Sequence, residues 1–180
     1  MKKLIIYIIC FVSFSLSAQK YYTKTGSTEL KASVAAFEPV EATNKSTSVV
    51  LKADTGEIAA LLFIKAFRFK VALMEEHFNE NYMDSDKFPK GTFKGNIKDF
   101  NLAEVTDKKK YKISGTLTVR GIKKEIETMG VFSKKDGKLY LKATFAVKPQ
   151  DFDIKIPSIV RKKIAESINL NLDYELIEKK

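Results

Sequence analysis

Cysteine is almost missing from this 180-residue chain: Cys10 is the only one, and it sits in the N-terminal apolar run. Histidine is just as scarce, with His77 standing alone. These two shortages exclude much chemistry. Downstream of position 18 no disulfide can form, so stability must rest on packing and strand pairing. Zinc and copper sites take three or four ligands from His, Cys and carboxylates. Glu75, Glu76, His77 and Glu80 are neighbours, but on a helix Glu76 and Glu80 share one face while His77 lies about 100° away. No nucleophile elbow accompanies His77, and no glycine-rich phosphate loop occurs. Neither a metal site nor a catalytic residue is expected. The chain reads as a non-enzyme.

Long apolar runs are also lacking. The one at residues 4–14 is short of the roughly 20 residues that a spanning helix needs. Lys2 and Lys3 precede it, and the small-residue stretch Ser15, Leu16, Ser17, Ala18 follows it. That is the pattern of a secretory signal peptide, residues 1–18, removed after Ala18. Cys10 lies inside its apolar part without the small residues that precede a lipidated cysteine, so it leaves with the leader. The expectation is a soluble exported protein, periplasmic or secreted. Residues 19–180 suit a single domain with a sizeable core.

Basic residues are in excess. Losing Lys2 and Lys3 lowers the formal net charge from +10 to +8. The lysines come in short runs (108–110, 123–124, 134–135) with carboxylates nearby and no interleaved aromatics, which is unlike a single-strand nucleic-acid platform. No nucleic-acid partner is expected. The charge suits a solvated surface, and it would also favour peripheral contact with an anionic membrane or lipid head group.

What is abundant is alternation. Thr28, Leu30, Ala32 and Val34 oppose Glu29, Lys31 and Ser33; Tyr111, Ile113, Gly115, Leu117 and Val119 oppose Lys112, Ser114, Thr116, Thr118 and Arg120. Residues 139–147 and 168–176 repeat that pattern, which marks strands wet on one face. Residues 35–46, with Pro39 and Asn44, read as a loop. Residues 47–53 and 57–69 read as a hairpin about Asp54, Thr55 and Gly56, and 124–132 as a strand with a bulge near Met129 and Gly130. Tight turns fall at Arg120-Gly121 and Asp136-Gly137. Only one stretch has helical spacing: Val71, Met74, Phe78 and Tyr82, ended by the acidic run from Asp84 and by Pro89. A short amphipathic turn or helix is expected after Pro157, lying across one end. About eight antiparallel strands in one domain leave no free edge if they close into a barrel. Small inward residues (Ala32, Ala60, Gly95, Gly115, Ala143) would leave such a barrel partly open.

Residues 74–95 (MEEHFNENYMDSDKFPKGTFKG) and 115–127 (GTLTVRGIKKEIE) resemble the YceI-like family of exported, polyisoprenoid-binding, lipocalin-like barrels. The hairpin at 42–57 and the pair Phe67 and Phe69 resemble its branch in Bacteroidetes-type bacteria. The resemblance covers the whole of 19–180. It implies an all-β, eight-stranded lipocalin-like barrel with one α-helix, whose interior takes an isoprenoid lipid or quinone and needs no other cofactor. One departure stands out: Asp151-Phe152-Asp153 replaces an Asp-Phe-Gly segment, and residues 157–166 are inserted after it. On this reading the wall is made by Ala60, Leu62, Ile64, Phe67, Phe69, Phe93, Ile113, Leu117, Leu141, Phe145, Leu170 and Leu172. Arg68 (or Lys70) and His77 are the candidates to meet an anionic head group, the other reading of His77 being an ordinary helix residue. The rival to a lipid-binding protein is a structural or interaction module with a filled interior and a basic surface for anionic partners.

Overall fold

The computed structural model describes residues 19–33, 39–162 and 164–179. The expected leader, Val34 and Lys163 lie outside these. The strands are β1 (Lys20–Ser33), β2 (Glu41–Lys52), β3 (Glu57–Phe63), the two-residue β4 (Arg68–Phe69), β5 (Lys90–Ile97), β6 (Lys109–Val119), β7 (Ile122–Lys135), β8 (Lys138–Val147) and β9 (Ile164–Glu178). Neighbours pair antiparallel around the ring, and β9 returns to β1, so eight staves close a barrel. β4 continues the stave of β3, since Ala42 and Thr43 of β2 pair with Phe69 and Arg68. Closure removes the exposed edges that an open sheet would carry.

Both two-residue turns have left-handed backbones, with φ of 50° and 76° at Arg120-Gly121 and 52° and 74° at Asp136-Gly137. That twist matches the flanking strands, which is why Val119 pairs Ile122 and Lys135 pairs Lys138 directly.

Four local expectations are corrected. The loop expected up to position 46 ends earlier, because β2 already starts at Glu41. Asn44 is a turn former by propensity, yet here it is fully buried. Its Oδ1 accepts from the Ser46 amide (2.8 Å) and hydroxyl (3.0 Å), while its Nδ2 donates to the Phe63 carbonyl (3.0 Å). The strand expected over 57–69 breaks after Phe63 into a 3-10 turn, Ile64–Ala66. Ile64 and Phe67 are buried there, whereas Phe63 turns outward beneath the Lys90 ammonium, 5.5 Å from its ring centre. No bulge interrupts β7 against β6, where the register runs from Lys109–Phe132 to Val119–Ile122 without a shift. Met129 merely points outward. The irregularity lies on the other side of β7, whose ladder with β8 begins at Gly130–Ala143. Beyond it the Thr128 hydroxyl reaches the Thr144 carbonyl (3.0 Å). Gly95 and Gly115 face each other, and a Cβ on either would run into the opposing strand's backbone. They permit a close strand approach rather than leaving space.

The one α-helix among the described residues, α1 (Ala72–His77), widens into a π-helical turn over Phe78–Tyr82. Near the C-terminus the short helical element is the 3-10 turn Pro149–Phe152. Residues after Pro157 form turns, and β9 starts at Ile164, four residues before the expected Ile168.

One half of the barrel is solid. Leu51, Phe132, Leu139 and Leu176 are each fully buried there. The segment after β5 caps that end by setting Phe100 against Tyr111 and Phe132, with centroids 5.1 and 5.3 Å apart. The Tyr111 hydroxyl donates to the Asn101 carbonyl (3.1 Å), and the Thr106 carbonyl accepts from the Lys134 amide (3.0 Å).

Candidate binding cavity

The other half is hollow. A cavity of about 370 Å³ runs from the middle of the barrel to the end bordered by α1, residues 149–160 and Ile164. The structure places Ala60, Leu62, Ile64, Phe67, Phe69, Phe93, Ile113, Leu117, Leu141, Phe145, Leu170 and Leu172 in its wall. Strand alternation puts most of them there, since every second residue of a stave faces inward, while Ile64 and Phe67 reach the wall from the 3-10 turn after β3. Ala32, Ala60 and Ala143 do contribute room. The interior is therefore not filled by side chains, as the structural-module reading requires.

The mouth is made by α1 and the segment after β8. Met74, His77, Phe78 and Tyr82 of the helix line it. Phe78 packs edge-on to Phe67 (5.6 Å) and tilted to Phe69 (5.1 Å). Glu75 pins the helix to β4, its carboxylate accepting from Arg68 Nη1 (2.8 Å) and from the Phe69 amide (3.1 Å). That ion pair engages one of the head-group candidates. His77 is exposed on the cavity's border, but Arg68 lies outside the wall, engaged with Glu75 and with the carbonyls of Lys65 and Phe67. Lys70 is exposed and borders a separate polar groove behind the helix.

Opposite α1, Phe152, Ile154, Ile156 and Val160 complete the wall. Phe152 is buried, beside the stretch where β7 and β8 lack a ladder. Arg120 ties the two sides of the mouth together. Its Nη1 donates to the Tyr82 carbonyl (2.9 Å) and the Asp153 carbonyl (3.1 Å), and its guanidinium lies over Phe88, 5.8 Å from the ring centre.

Three hydroxyls form the floor, between the hollow and solid halves. Thr28 of β1 bonds to Thr47 of β2 and to Tyr174 of β9, each at 2.9 Å. Burial pushes the Tyr174 phenol up to about 12, with the threonine hydroxyls pulling the other way. It stays protonated at ordinary pH and can donate a hydrogen bond. Gly26, at an irregularity of β1, makes room for that ring, since a Cβ there would lie 2.6 Å from Tyr174 Cδ1. Sequence reasoning set Thr28 and Tyr174 on inward rows without giving them a role. The readable signal was a lone hydroxyl in each otherwise apolar row. Among the described residues no group of three His, Cys, Asp or Glu side chains is placed to hold a metal ion. No helix among them is long and apolar enough to cross a membrane.

This hollow barrel has solved counterparts. It is similar to a polyisoprenoid-binding domain from Saccharophagus degradans implicated in plant cell wall breakdown (TM-score 0.75, 10% identity, covering 90% of this chain and 99% of that one). It is also similar to Burkholderia cenocepacia BcnA (TM-score 0.69, 16% identity, 83% and 95% covered). A third counterpart is the Campylobacter jejuni YceI protein (TM-score 0.64, 21% identity, 80% and 87% covered). At such identities these likenesses establish the fold. No curated protein sequence matches the chain. The family model of the YceI-like domain matches residues 11–176. The closed barrel, the one α-helix among the described residues and that match agree: the chain belongs to the YceI-like family.

Proposed function

We propose that this chain is an exported, non-catalytic protein that sequesters or carries a polyisoprenoid or isoprenoid-quinone-like lipid, held by its hydrocarbon part in the barrel cavity. The observation that carries this reading is the cavity itself, about 370 Å³ with an almost wholly apolar wall. Such a volume lies in the usual range for small-molecule pockets. Withdrawing about 500 Å² of prenyl surface from water contributes about 12 kcal/mol. Several kcal/mol of association cost still leave micromolar affinity. No conspicuous polar motif is needed for that, which agrees with the scarcity of chemically active residues. The polyisoprenoid-binding domain of similar fold supports the ligand class.

The test is organic extraction of the purified, denatured protein followed by mass spectrometry, with uptake of a polyprenol by delipidated, refolded protein. A stoichiometric prenyl lipid is expected. Recovery of none, together with no uptake, would overturn the reading. Export is checked by intact mass: the protein recovered from the periplasm or medium is expected to begin at Gln19.

A further inference from the structure

The segment Asp153 to Lys162 has two unlike sides. Ile154, Ile156 and Val160 face the cavity, whereas Ile159 stands 86% exposed. Lys155 precedes that isoleucine and Arg161 and Lys162 follow it, all exposed, against one carboxylate, Asp153. Among the described residues none of these three cations is in an ion pair. Across the same mouth Leu73 is 56% exposed, next to Met74 in the cavity wall. Among the described residues, exposed aliphatic side chains with cations free of ion pairs beside them therefore border the mouth of the apolar cavity.

We propose that this rim docks on an anionic lipid bilayer, Ile159 and Leu73 entering the boundary between head groups and acyl chains while Lys155, Arg161 and Lys162 meet phosphates. The charge is complementary to an acidic membrane surface, and the pattern is that of interfacial binding elements. Single aliphatic side chains among exposed cations offer little shape for a specific protein partner but suit a fluid surface. The geometry gives the contact a purpose if the cavity takes lipid, since the mouth would then open against the lipid's source. For that purpose alone the inference rests on the proposed function. Vesicle binding and lipid extraction are separate measurements, so either can fail without the other.

Each cation near an anionic surface strengthens partitioning about fivefold, and insertion of one isoleucine about tenfold. The experiment is co-sedimentation of the purified exported protein with vesicles of equimolar phosphatidylglycerol and phosphatidylcholine. Ile159→Ser is expected to weaken partitioning about tenfold, and Arg161→Glu with Lys162→Glu at least twenty-five-fold. Lys134→Glu with Lys135→Glu changes the net charge equally but sits at the solid end; it is expected to bind nearly as wild type. High salt and pure phosphatidylcholine are both expected to release the protein. Equal loss in the two double variants would show that only overall charge matters and would overturn the proposal. So would vesicle binding unaffected by Ile159→Ser, or no vesicle binding by the wild type, whether or not a protein partner is captured instead.

Discussion

Ala60→Phe separates the cavity's role from the fold's stability. Ala60 is half-buried on β3, opposite Val49 of β2 and Phe93 of β5, and its methyl faces the hollow. In a packed core an added ring costs about 1–3 kcal/mol through overpacking. Here it enters existing space, and burying its apolar surface contributes about 1.5–3 kcal/mol. Net stability is therefore expected to stay within about 1 kcal/mol of wild type. The ligand fares differently. A ring in the cavity displaces about 100 Å² of prenyl contact, about 2.5 kcal/mol, which is roughly fiftyfold in Kd. Urea unfolding of the delipidated protein measures the first quantity, and titration with a fluorescent prenyl analogue the second. Unchanged affinity in a folded Ala60→Phe variant would mean that the lipid lies elsewhere. A collapse in stability would mean that the hollow is not a real space.

Three further outcomes follow from the same geometry. Phe132→Ala, at a fully buried position in the solid half, is expected to cost about 3–5 kcal/mol in urea unfolding while the folded fraction keeps its lipid affinity. Tyr174 titrates higher in the fold than in the unfolded chain, so its stabilising contribution is complete below about pH 10 and is lost as pH rises through about 12. Stability is expected to fall by about 2–3 kcal/mol across that window, less steeply in Tyr174→Phe, and the latest-titrating component of the tyrosinate absorbance should be missing from that variant. Arg120→Ala removes the bonds to the Tyr82 and Asp153 carbonyls; amide hydrogen exchange is expected to accelerate in α1 and residues 153–162 while the solid half keeps its protection.

The strand-borne part of the wall was legible in the sequence because it depends on a period of two, which survives any error about where a strand starts; Ile64 and Phe67 reach the wall from a 3-10 turn that the same period did not show. The single helix was legible because Met74, Phe78 and Tyr82 repeat on one face and the acidic run at Asp84 stops them. Features set by distant partners were not. Asn44 reads as a turn residue until the Phe63 carbonyl, nineteen positions away, gives its amide a bond. Met129 and Gly130 look like a phase shift until β6 shows an unbroken register. Gly95 and Gly115 look like vacant wall positions until they are found in contact with each other. Arg68 was near the right end of the barrel, but Glu75, seven residues on, holds its guanidinium outside.

Because Phe132, Leu139 and their neighbours fill one half completely, the tube is a blind socket and not a bore. Whatever occupies it enters and leaves by the same aperture, so loading and unloading are the same motion run in opposite directions. The hydroxyls of Thr28, Thr47 and Tyr174 form the stop at the bottom. An occupant longer than the socket is deep must leave its remaining units projecting past α1, where a membrane or a second protein can take hold of them.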